Sequence, residues 1–336
     1  MKILRTLFPG LIFAVIIAVI ATLLGNVFPL IGGAVFGIIL GILVNSLFAI
    51  PRKAEAGLGF ASKRVLQWAI VALGGGLSLT QVYKVGMSSF SVMIFTLLAA
   101  FITAFIFGKL MKIPIKLASL IGVGTAICGG SAIAAISPII EAEDQDIAYS
   151  ISTIFLFNII AVVIFPPLGH LLGFTDKAFG LWAGTAINDT SSVVAAGYAY
   201  SNEAGSYATI VKLTRTTMII PPSFIFAAIV SVFKKRAATP KKDINYSFRQ
   251  IFPWFILWFL AASLFNTLGF ISGPTVTYIT ACGKFLIVVA LSAIGLNSDF
   301  RKMLKTGFKP MLLGLLVWFS VTIISLLVQF ATGQAT

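Results

Sequence analysis

Asp189 is the one acidic residue of the chain that falls inside long apolar sequence. It sits in the run Gly184-Thr-Ala-Ile-Asn-Asp-Thr-Ser-Ser-Val-Val-Ala-Ala-Gly-Tyr198, preceded by Asn188 and followed by Thr190, Ser191 and Ser192. A charged side chain at the middle of a bilayer costs roughly 2.5–3.5 kcal/mol on insertion scales, and such residues usually mark a substrate or ion pathway. A carboxylate in that place can take up H⁺ or Na⁺, and hydroxyls beside it can bind a second solute. The bland alternative is that Asp189 caps a half-helix and does nothing more.

A second run, Gly124-Thr-Ala-Ile-Cys-Gly-Gly-Ser-Ala-Ile-Ala-Ala135, repeats the first four residues and the small-residue character of the first. Glycines and hydroxyls in mid-span predict interrupted helices, which are tolerated at membrane depth only where they line a cavity or are buried in protein. The free ends of half-helices offer N–H groups to an anion or carbonyls to a cation. The candidate binding residues are Asp189, Asn188, Thr190, Ser191, Ser192, Thr185, Thr125 and Ser131. Close packing through small residues is the competing explanation. Lys212 and Arg215 follow, three apart and therefore on one helix face. They could pair with Asp189, attract an anion, or extend to the interface. Asn158, alone in an apolar segment, reads as an interhelical hydrogen bond. His170 reads as interfacial and Cys128 as a packing residue.

The elements that position these residues must lie in a membrane. The 336 residues are 59% hydrophobic and only 10% charged, with mean hydropathy +1.04, against about 25% charge in soluble domains. The expected fold is an all-α integral membrane protein, a single polytopic domain over 1–336. Eleven segments are long enough to cross: 7–24, 28–50, 65–80, 87–108, 117–140, 147–169, 178–200, 208–233, 250–270, 276–297 and 310–331. The first lacks a small-residue cleavage site and reads as a span rather than a signal peptide. With the N-terminus in the cytoplasm and one crossing per segment, only Lys84, Lys212, Arg215 and Lys284 of the 24 basic residues fall outside or in the membrane. The acidic run 141–146 falls outside and Lys177 inside. That asymmetry supports N-in, C-out. The net charge of +14 is thereby explained by orientation and not by nucleic acid.

The segment 234–249 reads as a basic cytoplasmic linker between a first part, 1–233, holding the core segments 117–140 and 178–200, and a second part, 250–336. Gly76-Leu77-Ser78 and Gly295-Leu296-Asn297 lie seven crossings apart, which makes them opposite in direction, as in inverted-repeat secondary transporters. The two Gly-Thr-Ala-Ile runs lie two crossings apart, which makes them parallel. Either one is re-entrant or the halves are permuted. The two cysteines show no metal spacing, and no phosphate loop, zinc helix or nucleophile elbow is present. The reading is a non-enzyme without a cofactor.

At 124–135, 183–197 and Gly295-Leu-Asn-Ser-Asp-Phe-Arg301 the chain resembles the YeiH-like family of bacterial inner-membrane proteins, whose members go by the name of sulfate exporters. The resemblance covers essentially the whole chain. It implies similarity to a wider group of cation:proton antiporters and bile-acid-type transporters, with a core of broken helices and a panel or dimerisation domain. Asn188-Asp189 resembles the Asn-Asp pair of electroneutral sodium/proton antiporters. The expectation is therefore a secondary transporter exporting a small sulfate- or sulfonate-like anion, coupled to H⁺ or Na⁺ at Asp189, in lipid, with a homodimer as the conceivable assembly. Spans three to eight would hold most of the moving core, and spans one, two and nine much of the scaffold. The rivals are a Na⁺(K⁺)/H⁺ antiporter, a channel-like pore and a membrane-embedded enzyme.

Overall fold

A computed structural model describes residues 2–28, 32–48, 50–236, 253–271, 273–298 and 307–335. Most of the basic linker, 237–249, and the repeat-motif residues Asp299, Phe300 and Arg301 lie outside the described residues, as do Lys302 and Lys305. Every regular element among the described residues is helical. Six helical stretches are long and apolar enough to cross a membrane, namely Thr6–Val27, Leu79–Leu110, Asp144–Leu171, Asn202–Val230, Gly273–Asn297 and Phe308–Ala331.

Helices α1 (Lys2–Val27), α2 (Gly32–Leu47), α3 (Arg52–Phe60), α4 (Leu66–Gly74), α13 (Phe255–Thr267) and α14 (Gly273–Asn297) form one packed group. A wider π turn at Ala61–Val65 joins α3 to α4. Alanines 14, 18 and 21 of α1 bury against Leu58, Ala61, Val289 and Ala293. The third apolar segment packs mainly in this group, and its Ile70 also clusters with Val92 and Ile210. Gly74 is in direct contact with the Phe259 carbonyl, and Gly283 lies against Ala69, so missing side chains let α4 close on α13 and α14.

The second group holds α5 (Leu79–Leu110), α6 (Ile115–Ala126), α7 (Gly130–Ile136), α8 (Asp144–Leu171), α9 (Asp176–Ala186), α10 (Thr190–Tyr200), α11 (Asn202–Thr217), α12 (Ile220–Arg236) and α15 (Phe308–Ala331). The two groups meet where Ile70, Ile256 and Phe259 cluster with Val92, Leu181 and Ile210, and again where Val35 and Ile38 of α2 and Leu291 of α14 pack on Val162, Val194 and Ala195. At one end of this seam Lys284 Nζ donates to Asn202 Oδ1 (2.7 Å) and lies 5.6 Å from the centre of the Tyr198 ring.

The segments 117–140 and 178–200 are interrupted as expected, but each doubles back. The start of α6 meets the end of α7, where Lys116 Nζ donates to Glu141 O (2.6 Å). Deeper in, Gly124 backs onto Ile133. The start of α9 meets the end of α10 in the same way. Ser201 Oγ donates to Asp176 Oδ1 (2.5 Å), and the Phe179 and Tyr200 rings stack at 3.9 Å. Straight passages would hold the ends of such segments some 30 Å apart at 1.5 Å per residue. Both are therefore helical hairpins.

This corrects one crossing per segment. The acidic run 141–146 lies at the same end as Lys109, Lys112 and Lys116, not opposite them, and Lys177 lies with Ser201. The 28 residues of α8, about 42 Å of helix, separate the two hairpin bases. The hairpins enter from opposite ends of α8 and point at each other, which removes the parallel arrangement counted from sequence.

Candidate functional site

The tips of the hairpins meet near the middle of α8. Hairpin one turns at Ile127 (φ −120°, ψ −89°) and Gly129 (φ +67°, ψ −131°). A methyl group on Gly129 would lie 3.4 Å from Asp189 Cβ, 3.5 Å from Asp189 Cα and 3.5 Å from Ile154 Cγ2. The backbone there is one that only glycine adopts without strain. Hairpin two turns through Ile187 and Asp189 in extended conformation. Asp189 caps α10 by accepting from Ser191 N (2.9 Å), and the Ser191 hydroxyl donates to the same Oδ2 atom. Asp189 is partly exposed, while Asn188, Thr185 and Thr125 are completely buried.

Asn158, one of the two central residues of α8, ties the second tip to that helix. Its Oδ1 accepts from the main-chain N–H groups of both Asn188 and Asp189, each at 3.2 Å. Below it, Ile154 packs against Gly124 and Gly129 of the first tip. The hydrogen bond anticipated at Asn158 is thus present, and it holds the loop that carries the carboxylate.

Lys212 and Arg215 are completely buried. They neither extend to an interface nor donate to the Asp189 carboxylate. Lys212 Nζ donates to Ile127 O (2.8 Å) and Ile187 O (3.0 Å), one carbonyl from each tip. Arg215 donates to Ala126 O (2.6 Å) and Thr125 O of hairpin one, and to Thr185 O (2.6 Å) and Ile187 O (3.4 Å) of hairpin two. These are the last carbonyls of α6 and α9, which have no partner within their own helices. The two cations therefore neutralise two negative helix ends at once and fasten the tips together. Helix α11 can approach this closely because Gly184 faces Val211 and Gly197 faces Gly205 without side chains between.

The sequence-derived residues fall into two sets. Asp189, Asn188, Ser191, Thr185, Thr125, Lys212 and Arg215 converge on the tips, and Thr190 opens α10 there. Ser131, on the first turn of α7, is exposed. Several polar atoms at or near the tips have no protein partner, namely both side-chain atoms of Asn188, Nδ2 of Asn158, and the hydroxyls of Thr125 and Thr153. Unpaired buried groups of this kind are rare in native proteins and call for an explanation. Residues of α15 had no signal in the sequence as site neighbours. Ser325 Oγ lies 2.7 Å from Thr185 Oγ1, and Gln329 Nε2 donates to Ser325 Oγ (3.1 Å). Their only trace was polarity within an apolar helix. Cys128 is buried beside the first tip, and His170 is exposed with its ring stacked on Tyr200 at 4.1 Å. Among the described residues no cluster of His, Cys, Asp or Glu could hold a metal ion.

The family model described as Conserved hypothetical protein 698 matches residues 9–314. The chain belongs to that family. It is 46% identical over 337 residues to a UPF0324 membrane protein of Clostridium tetani, covering 97% of each chain. A UPF0324 membrane protein of Fusobacterium nucleatum is 43% identical over 344 residues, covering 96% of this chain and 98% of the relative. One from Streptococcus agalactiae is 46% identical over 334 residues, covering 97% of both. With these relatives and its long apolar helices, the chain is a multi-pass membrane protein. A superposition on the sodium proton antiporter MjNhaP1 of Methanocaldococcus jannaschii spans 99% of this chain and 98% of that one. Its TM-score is 0.31 at 14% identity, which supports no statement about fold or activity.

Proposed function

We propose that this protein is a secondary transporter of the bacterial inner membrane, working by alternating access, in which Asp189 binds the coupling ion, H⁺ or Na⁺, and the tips of the two hairpins bind a small anion. The observation that carries this reading is the position of the carboxylate. It stands where two hairpins from opposite ends of α8 meet, partly exposed, while the two nearby cations are committed to main-chain carbonyls. In this reading, movement of one hairpin or the other opens the site to one end of the molecule at a time, which is what alternating access requires. The opposed hairpins with their shared Gly-Thr-Ala-Ile sequence are read as inverted repeats. The group with α1–α4, α13 and α14 is read as the scaffold.

In this reading nine segments cross and two are re-entrant, with the N-terminus in the cytoplasm and the C-terminus outside. The hairpins remove two crossings, so the parity at both termini and most of the basic bias of the cytoplasmic loops are kept. Protonation of Asp189 removes a negative charge from the site. Proton and anion therefore favour each other's binding, so the two move together, and export has to be driven by the anion's own gradient and charge because H⁺ leaves against its gradient. If Na⁺ is the coupling ion, its charge has the same effect.

A second reading, a Na⁺(K⁺)/H⁺ antiporter, is favoured by one observation. Because Lys212 and Arg215 are tied to carbonyls, neither occupies the carboxylate, and a cation could reach it. Proteoliposomes with an imposed pH gradient separate the two. Dissipation that depends on sulfate, sulfite, a small sulfonate or a carboxylate supports the transporter of anions. Dissipation by Na⁺ or K⁺ irrespective of the anion supports the antiporter. Absence of both under all conditions removes the secondary-transport reading.

A further inference from the structure

Asn158 has a task left over after its structural one. Its Oδ1 accepts two main-chain N–H groups, from Asn188 and Asp189. That fixes which corner of the planar amide is oxygen, because a nitrogen there would face two donors. The other corner is therefore Nδ2, a group with two N–H donors and no acceptor role. It is buried and has no protein partner. The Asn188 amide, equally buried and also unpartnered, begins the loop that Asn158 holds. Of the two amides only Asn158 is fixed in orientation, with Nδ2 as the unpartnered donor; Asn188 leaves both an oxygen and a nitrogen unpartnered.

We propose that Asn158 is the residue that selects the charge of the transported solute, its Nδ2 donating to an oxygen of an anion bound at the hairpin tips. This rests on the transporter reading and adds to it a recognition residue and the atom that does the recognising. An N–H corner cannot coordinate a cation, and a cation placed there would face the positive ends of two bond dipoles. An oxyanion or carboxylate oxygen would complete the amide.

Asn158→Asp is the sharp test because it is nearly isosteric. One carboxylate oxygen continues to accept from Asn188 and Asp189, and the other replaces the donor corner with a charged acceptor. Asn158→Ser is the milder partner. It removes the two N–H donors without adding a charge, and its shorter hydroxyl loosens the hold on the loop. Both full-length variants are purified, checked for a cooperative unfolding transition, and reconstituted beside wild type. The probes are sulfate, methanesulfonate and acetate, then Na⁺ with an impermeant counter-ion.

Losing one charge-assisted hydrogen bond predicts a rise in anion KM on the order of ten- to a hundredfold in either variant that folds, with a smaller change in kcat. A purely structural role would lower kcat or the yield of folded protein and leave KM in place, and that result overturns the assignment. Wild-type flux that follows the anion while both folded variants keep the wild-type KM also overturns it, yet leaves the transporter reading standing. Wild-type flux that follows Na⁺ alone overturns it too, and transfers the site to the antiporter reading. No ion-dependent flux in wild type removes both. Should Asn158→Asp fail to fold, the KM of Asn158→Ser decides.

Discussion

Gly129→Ala perturbs the meeting of the tips without touching a polar group. The residue has φ +67° and ψ −131°. Its ψ takes it out of the left-handed helical pocket, the part of positive-φ space that other residues visit. An alanine there is strained by about 1–3 kcal/mol. Sterically it fits, because the new methyl would meet Asp189 and Ile154 at 3.4–3.5 Å, ordinary contact distances. The expected response is a rotated tip rather than a disrupted core. If the native tip is the binding-competent one, a bias of about 1–3 kcal/mol against it lowers transport roughly five- to 150-fold. Gly173 provides the control. It has φ +66° and nothing within 4 Å of an added methyl, in the turn between α8 and α9. Gly173→Ala should cost about 1–2 kcal/mol of stability and leave transport per folded molecule unchanged. The assay is solute flux in proteoliposomes, normalised to folded protein, with thermal unfolding alongside. Wild-type flux in Gly129→Ala together with a wild-type unfolding transition would refute the reasoning.

Other expectations follow from the same contacts. Arg215→Met leaves the carbonyls of Thr125, Ala126 and Thr185 buried without a donor from α11, so unfolding in detergent should move down by on the order of 3–5 kcal/mol; Arg215→Lys, with fewer reachable donors, should fall between it and wild type. Gly184→Val would force a side chain into Val211, whose atoms already lie 2.6 Å from an added Cβ; a loss of about 1–3 kcal/mol is expected from overpacking, read by the same unfolding experiment. With Cys128 and Cys282 replaced by serine, the pairs Lys116→Cys with Glu141→Cys, and Asp176→Cys with Ser201→Cys, should each be bridged within one molecule by a short thiol-to-thiol reagent. Straight passages would keep both pairs apart, and failure of both would contradict the hairpins.

Much of the architecture was legible because apolar length and broken periodicity are local properties. The interruptions at 127–129 and 187–189 were visible as glycines, hydroxyls and an Asn-Asp pair within apolar sequence. The direction of the chain after each interruption was not. A hairpin of 24 apolar residues has the same composition as a span of 24, and only the contacts of Lys116 with Glu141 and of Asp176 with Ser201 distinguish them. The charge count gave no warning because two hairpins change the parity twice. In the proposed nine-crossing reading, residues before the first and after the second stay on the side first assigned, and only the loops 141–146 and 170–177 exchange ends. The partners of Lys212 and Arg215 were hidden for a different reason. Opposite charge made Asp189 the natural partner, whereas the carbonyl ends of α6 and α9 carry no sequence label. Ser325 and Gln329 were equally hidden, since their approach to Thr185 depends on how α15 packs over more than a hundred residues of separation.

The most direct test of the central claim is collapse of an imposed pH gradient in proteoliposomes by wild type and by Asp189→Asn, scanned across sulfate, sulfite, small sulfonates and carboxylates and then Na⁺ and K⁺. The asparagine keeps an oxygen to cap α10, so the fold should survive while the titrating group is lost. A solute-dependent collapse in wild type that vanishes in folded Asp189→Asn is the predicted result. Equal proton-coupled flux in the two proteins would contradict the account, because the carboxylate at the meeting of the hairpins would then carry no coupling.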